Sequence, residues 1–177
     1  MKKFPGSVID KTDITGKQFL DGMFGGASGM VMSQVKELTG LSAPAIQNWI
    51  NRKWLSHPQG KRYNEDQVAR ILIINMLRKT MSLEDITKLL FYVNGVAGDY
   101  RDDIIAESEL YGYICEIVFS NADEGSVDKI ISDTVKPFRE RRVGDVNKLK
   151  TALKIIYLNH IAGEYIDKSE ELLSQVK

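Results

Sequence analysis

The sequence predicts an all-α protein that carries one small β loop, and three observations predict it. Apolar residues recur at helical spacing through most of the chain beyond Ser33, a cap-type residue stands before each main stretch (Ser42, Asn64, Ser82, Asp145), and strand-like alternation is confined to the neighbourhood of 57–63. With 177 residues and a 43% hydrophobic share, the chain can bury a real core in one domain or in two small ones.

Residues 1–32 hold Gly22, Gly25, Gly26 and Gly29 among Met and Phe. That composition predicts an irregular arm with one short helix, able to lay apolar side chains over a neighbour. In 33–95, Val35 and Leu38 share a face of a short helix, Thr39-Gly40 supplies a turn, Ser42 caps the next helix and Pro44 sits near its first position. This is helix-turn-helix grammar. A Trp54-Leu55 anchor, the breaker pair His57-Pro58, and Gly60 before Lys61-Arg62-Tyr63 predict a tight loop with a basic tip, a wing. Asn64 with Gln67, and Ser82 with Asp85, have capping-box spacing for two further helices.

Residues 96–177 read as a helical domain behind a Gly- and Asp-rich connector over 95–103. One helix starts at Ser108, carries Leu110, Tyr111, Ile114, Ile117 and Val118, and ends near Asn121. A second runs through Val127, Ile130, Ile131 and Val135 until Pro137. From Asp145, a cap candidate, Val146, Leu149, Leu153, Ile156, Ile161, Tyr165 and Leu172 keep helical spacing. That helix should be roughly 30 residues, about 45 Å long.

The order of these pieces resembles the MerR family of winged helix-turn-helix regulators over about the 33–95 stretch. The family's Leu-Ser-x-x-x-Leu run is matched by Leu41-Ser42 and Ile46, its Gly-Leu-Leu exit by Lys53-Trp54-Leu55, and its Gly-Tyr-Arg wing by Gly60-Lys61-Arg62. Its next helix is matched by Glu65 to Thr80, and its Ser-Leu-Glu-Glu-Ile start by Ser82-Leu83-Glu84-Asp85-Ile86. The chain departs from the family where Gln47-Asn48-Trp49 stand in place of Arg-Tyr-Tyr, and where Asn94 to Asp99 interrupts the usual dimerising helix. The whole chain, with its segment from Asp102-Asp103 to Glu109-Leu110-Tyr111, also resembles a family of uncharacterised proteins from low-GC Gram-positive bacteria, known only as a domain of unknown function. The MerR resemblance implies a regulator that binds promoters as a dimer and distorts the DNA, with a C-terminal region that senses a ligand or holds the dimer.

Charge distribution agrees with a polyanion-facing half. Net charge is zero, yet residues 33–80 carry eight basic against three acidic side chains, and 81–177 carry twelve against eighteen. In the second helix Ile46, Trp49 and Ile50 should point inward, leaving Ser42, Ala45, Gln47, Asn48 and Asn51 for the major groove, where Asn and Gln bond two edges of adenine. Arg52, Lys53, Lys61, Arg62 and Tyr63 complete the expected DNA-binding set, the cations fixing register on phosphates. Taken alone, Gln47 and Asn48 are ordinary solvated helix residues; the surrounding motif gives them weight.

The expected function is therefore a sequence-specific, double-stranded DNA-binding transcriptional regulator of the MerR kind. The alternative is a helical protein-interaction or ligand-sensing module that has lost DNA binding, favoured by the missing arginine at Gln47 and by the neutral total charge. A homodimer is expected, with the helix from Asp145 supplying part of the contact, although its stripe could equally pack within its own chain. Tyr111, Tyr113, Phe119, Tyr157 and Tyr165 suit either a dimer contact or a small-molecule effector pocket in the C-terminal domain.

No catalytic residue, cofactor or metal is expected. No nucleophile stands with a base, and the glycines of 22–29 lack the Lys-Ser/Thr of a phosphate loop. His57 reads as a turn residue and His160 as a packed or surface one. Asp102-Asp103 lack a third oxygen ligand nearby and read as loop. Cys115 reads as a core residue, with a redox role left open, and excludes an intrachain disulfide. Arg139, Arg141 and Arg142 follow Pro137, either favouring a helix end or gripping an anion. With no signal peptide and no apolar run of membrane-spanning length, the chain reads as cytoplasmic, with no membrane partner.

Overall fold

The computed structural model describes residues 2–120, 122–123 and 125–176. Its elements in chain order are α1 (Gly16–Phe24), β1 (Met30–Val31), α2 (Met32–Thr39), α3 (Ala43–Asn51), β2 (Arg62–Tyr63), α4 (Glu65–Leu77), α5 (Leu83–Asn94), α6 (Glu107–Phe119), α7 (Val127–Thr134) and α8 (Asp145–Ser174). The protein is mostly helical, as the 3.6-residue periodicity demands.

α4 is the axis around which the rest assembles. Its run from Val68 to Ile74 is buried all round, and a helix that is apolar on every side finds stability only in an interior. It packs on α6, and α8, α5, α2 and α1 also meet it. One hydrophobic cluster runs from Phe4 through Tyr157 and takes side chains from all three sequence segments, so 1–32, 33–95 and 96–177 share a core. Each fully buried Leu or Ile in it contributes roughly 1.5–3 kcal/mol.

The N-terminal segment is fastened rather than draped. Phe4 stacks on Phe19 with ring centroids 4.0 Å apart, and its edge meets Phe119 at 5.7 Å. Asn75 on α4 donates to the carbonyls of Gly6 and Thr39, and the Tyr111 hydroxyl donates to that of Pro5. α1 crosses α6 so closely that a β-carbon on Gly16 would lie 2.6 Å from Cβ of Cys115. Glycine is required there by space, not by backbone conformation.

Two expectations are corrected. β2 pairs antiparallel with β1, Met30 opposite Tyr63 and Val31 opposite Arg62, so the second strand comes from the segment read as an irregular arm. Asp145 is not the cap residue of α8: Gly144 holds that position, and the buried Asp145 carboxylate accepts the Arg142 N–H at 2.8 Å from inside the first turn. α6 ends at Phe119, close to the expected end; Asn121 itself lies outside the described residues. Of the two expected roles of the α8 stripe, packing within its own chain is the one observed: Leu149, Leu153 and Ile156 are buried, and α6, α7, α4 and α5 meet this helix; only beyond Tyr157 does it turn apolar side chains to solvent, with Tyr165, Leu172 and Leu173 about two-thirds exposed.

Among the described residues, no helix is long and apolar enough to cross a membrane.

Candidate nucleic-acid interface

The surface predicted to meet DNA is built on α2, α3 and the 57–63 loop, each bounded by local chemistry. α2 ends at Gly40, whose φ of +71° is the left-handed conformation that lets the chain turn at once into α3. The Ser42 hydroxyl accepts the Ala45 N–H to cap α3, and Pro44 fits the first turn, where its missing N–H leaves no bond unmade. Ile46, Trp49 and Ile50 are buried, as their spacing demands.

The exit from α3 is a double reverse bond, Lys53 N–H to the Ile50 carbonyl and Trp54 N–H to the Trp49 carbonyl. This motif places its intermediate residue in the left-handed region, where glycine is the usual occupant. Lys53 stands there at φ +61°. The tip of the 57–63 loop repeats the pattern. Arg62 N–H donates to the Gln59 carbonyl, and both central residues, Gly60 and Lys61, have positive φ, +55° and +62°, as a tight two-residue hairpin turn requires. Among the described residues, Lys53 and Lys61 are the non-glycine positions with positive φ.

α4 holds these pieces in register, and the sequence reading missed the residues that do it. The Gln67 side-chain oxygen accepts the Asn64 N–H in the capping box, while its amide nitrogen donates to the Ser56 and His57 carbonyls and to the Ser56 hydroxyl. Arg70 Nε donates to the Trp54 carbonyl at 2.7 Å, and its guanidinium pairs with the Glu107 carboxylate. A signal was available: Gln67 and Arg70 are polar positions on the face of α4 that also carries Ile71 and Ile74, where an uncompensated polar group would be costly.

Of the ten predicted contact residues, Ser42, Gln47, Asn48, Asn51, Arg52, Lys53, Lys61 and Arg62 lie on the surface. Ala45 is half-buried. Tyr63 is corrected: its ring is only 2% exposed, and burial raises its phenol pKa, so it is core beneath the loop and offers nothing to a ligand. Several of the exposed groups already have partners. Gln47 donates to Asn51, Arg52 lies 3.8 Å from Glu84 and over the Trp54 ring, and Arg62 donates to the Gly29 carbonyl at 2.9 Å. The charge count is corrected too, because Arg70 is interior and Lys79 is bound to Asp167 and Glu170 on α8. Six of the eight cations of 33–80 remain: Lys36, Arg52, Lys53, Lys61, Arg62 and Arg78.

The other singled-out residues find plainer places. Cys115 is buried, and burial pushes its thiol up to about 12, so it stays protonated. His160 is half-buried on α8, 3.7 Å from Glu164, with its pKa lowered by burial. His57, Arg139, Arg141 and Arg142 are exposed. Asp103 is half-buried beside Asp102, and burial lifts its carboxyl to about 6. No group of three or more His, Cys, Asp or Glu among the described residues could hold a metal ion.

Comparison with known proteins places residues 26–114, half of the chain, in a single family model, that of the Domain of unknown function (DUF1836). The chain belongs to this family. It is similar to a protein of Bacillus subtilis (strain 168) called Uncharacterized protein YkrK, with 34% identity over 79 residues, 42% of this chain and 34% of that protein. The chain thus spans about a third of that curated relative's length. No solved structure matches. The matched region begins just before β1 and ends within α6, so it includes the whole predicted contact surface together with α4 and the Arg70–Glu107 pair.

Proposed function

We propose that the protein is a sequence-specific DNA-binding transcriptional regulator, with α2 and α3 as a MerR-like helix-turn-helix and the 57–63 loop as its wing. One observation carries the reading: the solvent face of α3 presents Gln47, Asn48 and Asn51 with no acidic side chain on that helix, Arg52 and Lys53 follow at its C-terminal end, and Lys61 and Arg62 are exposed in the next loop. An α-helix of this kind fits the major groove, amide side chains read adenine edges there, and flanking cations fix the register on phosphates.

The two left-handed lysines support the same reading. A non-glycine residue in this conformation costs roughly 1–2 kcal/mol, and such strain clusters where function requires the side chain. Among the described residues, Lys53 and Lys61 are the two places where glycine would fit better; Lys53 follows α3 and Lys61 is at the tip of the 57–63 loop.

A second reading has its own support. With Arg62 bound to the Gly29 carbonyl and Arg52 facing Glu84, the same scaffold could serve as a protein-interaction module without DNA binding. Selection of bound duplexes from a random pool at moderate salt separates the two. The regulator reading expects an enriched motif that Gln47→Ala with Asn48→Ala relaxes, since each base contact contributes about 1–3 kcal/mol of discrimination. A pool that stays random contradicts it.

The proposal includes a homodimer, since two half-sites are the usual route to specificity. Its contact would use α8 beyond Tyr157, where Tyr165, Leu172 and Leu173 are exposed, rather than the covered stripe through Leu149 and Leu153. Light scattering expects twice the 20.0 kDa chain mass.

A further inference from the structure

An open groove of about 940 Å³ lies where α1 meets α6, on residues outside the proposed interface. Gly112 and Phe119 of α6 line it above the buried Cys115, together with Ile14 and Pro137. Of the aromatics suggested by sequence for an effector pocket, Tyr113 and Phe119 line it, whereas Tyr111 and Tyr157 are buried in the core and Tyr165 stands far along α8. The tight crossing at Gly16 and Cys115 fixes α1 against α6, so the groove belongs to the folded core.

The charge of the groove is net negative once the partners of each group are followed. Lys11 and Lys17 both line it: Lys17 is neutralised by Asp21 at 2.9 Å, while Lys11 keeps its charge, donating to the uncharged carbonyls of Thr12 and Ile14 and lying 5.0 Å over the Phe119 ring. Against that one remaining cation stand three carboxylates, those of Glu65, Glu109 and Glu116, of which Glu65 also feels the charge of Lys17. Glu109 accepts from the Tyr113 hydroxyl and Glu116 from that of Thr134, both uncharged donors. The field is visible at Tyr113, whose phenol is pushed up to about 12 by burial and then by these two glutamates.

We propose that this groove binds a small amphipathic amine, its apolar body on Gly112 and Phe119 and its ammonium drawn by the carboxylates of Glu65, Glu109 and Glu116. The volume is that of a ligand pocket for a drug-sized molecule, and an apolar surface beside three carboxylates and one uncompensated cation favours a cation with hydrocarbon attached over an anion or a bare ion. The site is independent of DNA binding, and its test contains no DNA.

The test is fluorescence titration of the full chain with dansylcadaverine, its uncharged N-acetyl derivative and the anionic dansyl-6-aminohexanoate. The amine should bind saturably with blue-shifted emission, at least tenfold more tightly than the neutral probe, and the anion most weakly. Changing Glu65→Gln, Glu109→Gln and Glu116→Gln together, all at surface or half-buried positions, should erase the preference for the amine while leaving the neutral probe unaffected. Gly112→Leu, with an unchanged circular dichroism spectrum, should exclude all three probes by filling the groove. Equal affinity for the three probes, no saturable binding of the amine, or a preference that survives the triple glutamine change overturns the proposal. Because the glutamine changes leave the packing intact, they decide the question even if Gly112→Leu does not fold.

Discussion

Arg70 of α4 and Glu107, the first residue of α6, form an ion pair in the interior, with side chains only 4% and 9% exposed. The same arginine holds the Trp54 carbonyl just beyond α3. Asp66, one turn earlier on α4, accepts the Ser108 N–H, so two contacts seat the start of α6 on the helix that also positions the exit of α3. Breaking a buried pair by removing one partner leaves an uncompensated charge and costs about 3–5 kcal/mol.

Arg70→Leu should therefore lower the free energy of unfolding at neutral pH by about that amount. Chemical denaturation followed by circular dichroism measures it. A loss below about 1 kcal/mol, the range of exposed pairs, would mean that the pair carries little of the fold.

Burial pushes the Glu107 carboxyl up to about 7 against the pull of Arg70, and that of Asp103 up to about 6. A carboxyl whose folded pKa exceeds its unfolded value near 4.5 gives stability that is fully present below the unfolded value and lost as pH rises through the folded one. The thermal midpoint should thus fall between pH 5 and pH 7.5, and Glu107→Gln should flatten that slope. A midpoint that climbs steadily over this window in the native chain, unchanged by Glu107→Gln, would contradict the assignment.

Lys53→Gly separates stability from function. Glycine relieves the left-handed strain but adds unfolded-state entropy, so the variant should gain about 0.5–1 kcal/mol of stability. It should bind duplex DNA more weakly, through the lost cation. Denaturation and anisotropy titration on the same preparation read both; a gain in affinity would remove Lys53 from the interface.

Arg62→Ala should have two small effects. Losing the hydrogen bond to the Gly29 carbonyl costs about 0.5–1.5 kcal/mol of stability. Losing one phosphate contact should reduce the slope of binding against salt by about one, similarly for all sequences. An unchanged salt slope beside the stability loss would assign Arg62 to the fold alone.

The helix ends were largely legible because capping acts within three residues. Ser42, Asn64 and Ser82 accept from Ala45, Gln67 and Asp85 wherever the rest of the chain goes. The buried face of α3, Ile46, Trp49 and Ile50, was legible for the same reason: helical spacing fixes which side chains share a side. Tertiary structure alone decided what depends on a distant arrival. Arg70 counts as a surface cation until Glu107, 37 residues on, meets it. Tyr63 looks like part of a basic loop until Met30 arrives as its strand partner and the core closes beneath it. The stripe on α8 suits a second copy or its own chain equally until the burial of Leu149, Leu153 and Ile156 decides for its own chain. A one-dimensional pattern states what each residue needs within a turn or two of its own helix. Burial, and with it charge pairing and access to a ligand, is settled by which remote side chains fill the remaining space.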